Sequence, residues 1–378
     1  MKRKLILLLI PIFLLVMRAN ASTSQAGAIF LIIYPGARPN GMGATFTAIA
    51  DDALASYYND AGLGFQTRSD FVLMHANWLP GLYPGMYYEF LGVTYPVPAY
   101  GGVLGIHVIY LTTGETVAMD EQGNPIAQWR TFDASAKISY GTKLKKSLSV
   151  GVGAKFIMSY LSPSWVIEQI LPGRRGGGTG TSWAFDISSF HKIFPKRIRL
   201  WVGKSSYALT LNEINIGVSL QNLGPNIKYT DTGESDPLPW TLRVGTSYKA
   251  IESESNKLRI STEFTKILVG IGGVLSDLFK GSRTVVRGGK EVTENRWAII
   301  KDEYYDIWKA VGLEYTYSNL FSLRVGFFWD KTGYRVGPTF GGGVYLKDLV
   351  FNIGVDQYLY DFPTSNYRLS LNYRFGGK

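Results

Sequence analysis

The chain has 378 residues and a formal net charge of +10 at pH 7, with 43 glycines, 24 tyrosines and no cysteine. This composition excludes a disulfide-stapled fold and a lipidated cysteine, and the basic residues are too scattered for nucleic-acid binding. Many glycines and tyrosines with only 18% charged residues are typical of an exported membrane β-barrel, and a soluble all-β protein is the alternative.

Residues 1–21 are predicted to be a secretory signal peptide. Met1-Lys2-Arg3-Lys4 is basic, Leu5 to Met17 is apolar apart from Pro11, and Ala19-Asn20-Ala21 is a small-residue cleavage motif. The apolar run is too short for a transmembrane helix, and no later stretch reaches 18 apolar residues. We therefore expect cleavage after Ala21 and a mature chain without a transmembrane helix.

Residues 22–66 are predicted to form a compact segment unlike the rest of the chain. Ala28 to Tyr34 is apolar, the following turns are rich in glycine, and Ala53 to Tyr58 indicates a short helix. Gly41-Met42-Gly43 does not predict a nucleotide-binding loop, because it lacks a correctly spaced third glycine and a following βαβ unit. Small residues let a backbone pack closely, so we expect this segment to lie inside the structure formed by residues 67–378.

Apolar and polar residues alternate from about Thr67 onwards, which is the pattern of β-strands with two different faces. Between Asn366 and Phe375 every odd position is apolar and every even position is polar. A shift of one residue would place Arg368 and Arg374 in hydrocarbon, at about 2–4 kcal/mol each near the midplane. The pattern predicts fourteen strands, near Ser69–Trp78, Met86–Val97, Gly102–Leu111, Arg130–Thr142, Leu148–Leu161, Thr181–Ser189, Ala208–Leu223, Trp240–Ala250, Lys257–Ile267, Trp308–Ser318, Leu320–Asp330, Thr339–Leu346, Leu349–Tyr358 and Asn366–Phe375.

The predicted connections alternate in length, as they do in outer-membrane barrels. The short ones are Pro98–Gly101, Lys143–Ser147, Ile251–Asn256, Ser318–Asn319 and Lys347–Asp348, and the long ones are Thr112–Trp129, Ser162–Gly180, Gly224–Pro239, Leu268–Ile307 and Lys331–Pro338. One connection, Phe190 to Tyr207, is long where the alternation requires a short one. An even number of strands returns both termini to the same side, which in such barrels is the periplasm.

These strands are expected to close into a ring. An open sheet edge in lipid would leave backbone groups unpaired at several kcal/mol each, so the sheet must close. We therefore predict an all-β fold: a closed 14-stranded antiparallel transmembrane β-barrel with a small N-terminal helical plug. Side chains alone cannot fill the lumen of so many strands, and residues 22–66 are the segment available to fill it.

Twelve charged residues are assigned by the alternation to the lumen: Asp133, Lys137, Lys155, Asp186, Arg243, Arg259, Glu263, Glu314, Arg324, Asp356, Arg368 and Arg374. They form either a network of ion pairs, in contact with solvent or with the plug, or a polar conduit. Because both signs are present, the pattern argues against a strongly ion-selective pore.

No arrangement of residues predicts catalysis, a metal site or a cofactor. His75, His107 and His191 are far apart and lack Ser, Cys or carboxylate partners at catalytic or metal-binding spacing. Two connections are instead suited to contacts outside the barrel. The basic, glycine-rich stretch Pro172–Gly178 is interpreted as a disordered surface or as a mobile outer loop that contacts lipopolysaccharide phosphates, and the apolar half of Leu268–Ile307 predicts a lid or a docking surface.

Several short motifs resemble the PorV/PorQ group of FadL-type outer-membrane barrels. They are Pro35-Gly36-Ala37-Arg38, Gly41-Met42-Gly43-Ala44, Ala50-Asp51-Asp52, Tyr57-Tyr58-Asn59-Asp60-Ala61-Gly62-Leu63 and Ser219-Leu220-Gln221-Asn222-Leu223-Gly224-Pro225. Asp60 stands where the group usually has proline. The resemblance implies that the plug motif comprises Gly36, Arg38, Gly41, Met42, Gly43, Asp51, Asp52, Asn59, Gly62 and Leu63.

The resemblance also implies a non-enzymatic role in the outer membrane. PorV-like proteins receive type IX cargo by its C-terminal signal domain and pass it to the surface attachment machinery, whereas FadL relatives pass hydrophobic molecules through a gap in the wall. The matching motifs lie mainly in the plug, which both branches share, so both functions stay open, together with a third in which the barrel is structural and binds only other membrane proteins. The expected partners are outer-membrane lipid, lipopolysaccharide, secreted cargo domains and other secretion barrels, with no nucleic acid.

Overall fold

The computed structural model describes residues 26–170, 177–202, 205–230, 235–269, 271–287, 290–359 and 362–376. The predicted signal peptide, residues 1–21, lies outside the described residues, as do residues 172–176 of the basic, glycine-rich stretch.

Most of the described chain is β-strand. The strands are β1 (Ser69–Asn77), β2 (Tyr87–Val97), β3 (Gly102–Met119), β4 (Pro125–Lys145), β5 (Leu148–Tyr160), β6 (Thr179–Ile193), β7 (Lys196–Val202), β8 (Ser205–Leu211), β9 (Ile214–Leu223), β10 (Thr241–Glu252), β11 (Asn256–Ile267), β12 (Ser282–Arg287), β13 (Lys290–Asn295), β14 (Trp308–Tyr317), β15 (Phe321–Asp330), β16 (Arg335–Leu346), β17 (Leu349–Leu359) and β18 (Phe362–Phe375). Fourteen of them close into one antiparallel barrel, in which β1 pairs with β18, and this confirms the predicted fold. The other four form two separate hairpins, β7–β8 and β12–β13.

The helices are short. They are α1 (Ala37–Asn40), α2 (Ala55–Tyr58), α3 (Ser164–Ile170), α4 (Ile271–Lys280) and α5 (Arg296–Asp306), with 3₁₀ turns at Ile29–Ile32, Asp60–Phe65 and Pro98–Tyr100. Within the described ranges, none of the helices is long and apolar enough to cross a membrane.

The two ends of the barrel differ in their connections. Ser69 at the start of β1 lies opposite Phe375 at the end of β18, and most turns at this end are short. We call this the turn end. The opposite end carries the connections between β3 and β4, β5 and β6, β9 and β10, and β11 and β14, and we call it the loop end.

The hairpin β7–β8 explains the connection that did not fit the predicted alternation. The predicted strand Ala208–Leu223 is wrong at its start, because residues up to Leu211 pair with β7 and the barrel strand begins at Ile214. The predicted loop Thr112–Trp129 is wrong as well, because β3 and β4 continue as a paired ribbon to Met119 and Pro125. A bulge at Thr113 breaks the alternation there and conceals the continuing strand.

The barrel wall has an apolar outer face and a more polar inner face. On β18, Tyr367 and Leu369 are 54% and 53% exposed, whereas Arg368 between them is only 2% exposed. The rings of Tyr110, Phe132 and Tyr160 stack across neighbouring strands, with centroids 5.6 and 5.4 Å apart. Stacked aromatic side chains on an apolar wall are what a membrane interface requires.

Residues 26–66 occupy the lumen, and we call them the plug. Nearly every plug residue is buried, including the charged residues Asp52 and Asp60 and the aromatic residues Phe30, Phe46 and Tyr58. The plug forms only single helical turns because glycine and proline interrupt it. Gly36 ends the first extended stretch at φ +93°, a conformation that side-chain-bearing residues rarely adopt.

Candidate functional site

The plug backbone lies directly against the inner wall of the barrel, at glycines in the strands. A Cβ atom built on Gly151 would lie well inside van der Waals contact with the Ala61 amide, and one on Gly217 would clash with the Thr47 carbonyl. Other wall glycines make similar approaches to plug backbone: Gly141, Gly312, Gly326 and Gly354. These contacts explain part of the high glycine content, because any side chain at these positions would displace the plug.

Two lysines and two carboxylates form a buried cluster between the plug and strands β4, β5 and β6. Lys137 Nζ lies 2.9 Å from Asp60 Oδ2 and 2.5 Å from Asp186 Oδ2, and all three side chains are 1% exposed. Lys155 Nζ lies 3.0 Å from the same Asp186 oxygen and 2.6 Å from Asn222 Oδ1. The two positive and two negative groups balance, which such burial requires.

This cluster gives Asp60 a function that proline could not supply. We expect Asp60→Pro to cost about 2 kcal/mol, because Lys137 loses one of its charged hydrogen-bond partners. The backbone itself should accept proline, since Asp60 begins a 3₁₀ turn directly after the capping residue Asn59. The measurement is the temperature at which the purified barrel loses its fast, folded migration on gels.

A second substitution tests whether the loss of stability in Asp60→Pro comes from the missing carboxylate or from the proline backbone. Lys137→Met added to Asp60→Pro should recover part of the lost stability, because Lys155 and Asp186 remain as a balanced pair. Equal stability of Asp60→Pro and the unmodified protein would contradict a role for this cluster.

A second cluster is centred on Arg38 of the plug. Its guanidinium lies 2.6 Å from Asp51 Oδ1, 2.8 Å from Glu314 Oε1 and 3.4 Å from Asp52 Oδ2. Two arginines of the wall extend the cluster. Arg259 lies 3.0 Å from Asp51, and Arg324 donates to Glu314 at 2.8 Å. The plug is therefore tied to β11 and β14 by ion pairs as well as by packing, and Arg324 of β15 supports Glu314 from the wall.

A third group joins the plug to β9, β10 and β11. The Glu263 carboxylate accepts hydrogen bonds from the Phe46 and Thr47 amides at 2.8 and 3.0 Å. Arg243 is fully buried, with its guanidinium 4.7 Å from the centre of the Tyr34 ring and its Nε donating to Gln221 Oε1 at 2.9 Å. Stacking on an aromatic face and a charged hydrogen bond together compensate for burying this cation.

The remaining lumen residues have more local partners. Arg368 donates to Asp356 Oδ2 at 2.7 Å, and Asn40 of the plug donates to the same oxygen at 2.9 Å. Arg374, at the turn end, donates to Asp70 at 2.9 Å. Asp133 belongs to none of these three groups within the described residues, and its Oδ1 has no hydrogen-bond partner there.

The residues of the predicted plug motif act mainly through backbone packing and capping. Gly36, Gly41, Gly43 and Gly62 lie so close to neighbouring atoms that a Cβ would clash. Asn59 caps the following turn by accepting from the Ala61 amide, and it donates to the Thr47 carbonyl. Met42 and Leu63 are fully buried.

Sequence reasoning missed the lumen role of the residues Gln221 and Asn222. Gln221 donates to the Tyr57 carbonyl at 2.6 Å, and Asn222 links Asp186 and Lys155 to the Pro239 carbonyl. Asn222 has φ +64°, a conformation that asparagine tolerates better than most residues. Both belong to the motif Ser219-Leu220-Gln221-Asn222-Leu223, which was the available signal.

The three histidines lie in three unrelated environments. His107 is buried beside the plug, with Nδ1 3.0 Å from Ser56 Oγ. His75 faces outward, 2.6 Å from Glu89, and His191 is exposed at the turn end. In the described ranges, no group of three or more His, Cys, Asp or Glu is placed to hold a metal ion.

The connection between β11 and β14 folds at the loop end into what we call the loop module, residues 271–306, built from α4, β12, β13 and α5. Ile299 is its buried centre, and Arg283 pairs with Glu294 and Asp302. Partial burial would lower the pKa of Arg283, but these carboxylates raise it overall. Lys266 of β11 holds the module on the barrel through Glu303, at 2.9 Å.

The loop module exposes several large apolar side chains at the loop end. Phe279 is 79% exposed, Trp297 78% and Val286 70%. The β3–β4 ribbon adds Met119, which is 61% exposed, at the same end. Hydrogen bonds from the side chain and backbone of Asn124 order the tip of this ribbon and lower the pKa of Asp120. Exposed apolar side chains of this size on one ordered element are candidates for an interaction surface.

A closed sheet with an apolar outer wall, a plugged lumen and ordered external elements defines a plugged outer-membrane β-barrel. A TodX ΔS2S3 mutant, described as a monoaromatic hydrocarbon channel, has this fold with a TM-score of 0.51 at 13% identity, covering 90% of this chain and 98% of that one. The Pseudomonas putida toluene transporter TodX matches with a TM-score of 0.49 at 12% identity, covering 91% and 99%. A Pseudomonas aeruginosa FadL homologue matches with a TM-score of 0.46 at 10% identity, covering 91% and 99%.

The sequence gives a more particular assignment than these structures. The model of the family described as type IX secretion system protein PorV matches residues 17–273, which is more than half of the chain. The chain belongs to the PorV family, as its plug motifs predicted. No curated protein matches it.

Proposed function

We propose that this protein is a non-enzymatic component of type IX secretion that binds the C-terminal signal domain of secreted cargo at its loop end and passes the cargo to surface attachment. Membership of the PorV family supports the secretion role. In this proposal the turn end and both termini face the periplasm, and the loop end stands among lipopolysaccharide at the cell surface.

The observation that carries the proposal is the apolar surface of the loop module. Phe279 and Trp297 are nearly as exposed as side chains can be, although the module has its own buried residue and ion pairs. Aromatic side chains of this kind supply much of the binding energy when a protein partner covers them. The plugged lumen supports the same conclusion, because contact at the outer surface needs no open channel.

The test is binding of a purified type IX C-terminal signal domain to the detergent-solubilised barrel. Phe279→Ser combined with Trp297→Ser should weaken binding at least tenfold, or about 1.4 kcal/mol. Tyr100→Ser is the matched control, because Tyr100 is also 79% exposed but lies at the turn end. Unchanged affinity in the double variant, with folded gel migration retained, would rule out this surface as the cargo site.

The alternative function is transport of hydrophobic molecules. Between Arg335 and Thr339 of β16, the pairing with β17 slips by one residue and leaves an irregular stretch of wall. A cavity of about 50 Å³ between plug and wall lies beside it and is lined by Tyr34, Trp78 and Phe328, among others. This is far smaller than typical ligand pockets of about 300–1,000 Å³. Uptake of a labelled aromatic hydrocarbon that depends on this protein would favour transport.

A further inference from the structure

A cavity of about 430 Å³ opens at the turn end, between the plug and the inner faces of β10, β11 and β14 to β18. Its volume falls within the range of ligand pockets, about 300–1,000 Å³. Eight Arg or Lys residues and five Asp or Glu residues line it. It lies inside the ring of strands, so the sheet separates it from the bilayer.

The acidic groups of this cavity are already engaged by arginines and a lysine. Asp51 and Glu314 pair with Arg38, and two exposed acids pair at the rim, Asp348 with Arg68 and Glu252 with Lys249. These pairs leave part of the positive charge of the lining uncompensated.

Three basic groups can still bind an anion, because each lacks either an ion pair or a hydrogen-bond partner. Lys257 Nζ donates to Asn319 Oδ1 at 3.0 Å, and within the described residues neither Lys257 nor Lys347 forms an ion pair. Lys347 is exposed at the rim. Arg324 has a side chain that is 0% exposed, and its Nη2 has no hydrogen-bond partner in the described part of the chain. An unpartnered guanidinium nitrogen buried at a cavity wall favours an anionic occupant.

We infer that this cavity binds a carboxylate-rich segment of a protein partner on the side of the membrane that the turn end faces. The excess of basic groups selects negative charge, and the position of the cavity inside the ring of strands suits a chain end or loop rather than a lipid headgroup. The inference is independent of cargo binding at the loop end.

The experiment measures fluorescence anisotropy of a fluorescein-labelled decaglutamate peptide titrated with the purified full chain in a non-ionic detergent. We expect saturable binding that weakens with added salt. Lys257→Gln combined with Lys347→Gln should raise the Kd at least tenfold, with the folded gel migration unchanged.

The matched control is Lys145→Gln combined with Lys146→Gln, which removes the same charge from the turn end outside the cavity. This control should change the Kd by less than threefold. Equal weakening in the two double variants would mean that the peptide senses only the general surface charge, and the inference would fail. Absence of saturable binding to the unmodified protein would also overturn it.

Discussion

Gly151→Ala combined with Gly217→Ala is expected to dislodge the plug and to lower the stability of the barrel by several kcal/mol. Each new methyl group would overlap plug backbone, at the Ala61 amide and the Thr47 carbonyl, and backbone cannot rotate away as a side chain can. Overpacking of this kind costs about 1–3 kcal/mol per site. The readouts are the temperature at which folded gel migration is lost and the rate at which protease cleaves residues 26–66.

Gly342→Ala provides the matched control for this pair. Gly342 lies on the outer face of β16, where a new Cβ would have its nearest neighbour, the Ser322 carbonyl, at 3.7 Å. The stability of the Gly342→Ala variant should differ from that of the unmodified protein by no more than about 0.5 kcal/mol. If the Gly151→Ala/Gly217→Ala variant were as stable as this control, the plug backbone could not be in close contact with these wall glycines.

Asp186→Asn should produce the second large effect, a loss of about 3–5 kcal/mol, because it leaves buried charge uncompensated. Asp186 neutralises both Lys137, at 2.5 Å, and Lys155, at 3.0 Å. Without its charge, two buried ammonium groups share the single carboxylate of Asp60. Thermal loss of folded gel migration measures the effect.

Two further variants test whether charge is the cause. Lys155→Met added to Asp186→Asn restores a one-to-one balance and should recover part of the loss. Glu252→Gln removes a carboxylate that is 46% exposed and 3.7 Å from Lys249, so it should cost no more than about 1 kcal/mol. A loss for Asp186→Asn no larger than that for Glu252→Gln would refute the argument.

Alternation along the strands is sufficient to predict the barrel, because lipid and lumen impose different side chains on the two faces. It predicts the orientation of β18 from Tyr367 to Arg374 without any knowledge of pairing. It cannot say which strand a given strand pairs with. For that reason the alternation alone predicts that residues 208–211 are part of the barrel, although they belong to the separate hairpin β7–β8.

The candidate site was predictable in its components but not in its connections. Alternation placed Lys137, Asp186 and Arg243 on the lumen side, and family resemblance marked the plug glycines. The partners of these charges depend on the path of the plug through the lumen, which has no periodic pattern. Asp60 therefore looked like a departure from a motif until its carboxylate was seen beside Lys137.

The close contacts between the plug and the barrel wall affect the order in which the plug and the strands assemble. Plug backbone contacts glycines from Gly141 on β4 round to Gly354 on β17, so the contacts run around most of the ring on the side away from the β1–β18 junction. Contacts this close around so many strands are easier to form before the ring is complete than after it. We therefore expect the sheet to close around the N-terminal segment during biogenesis, with the pairing of β1 and β18 formed last.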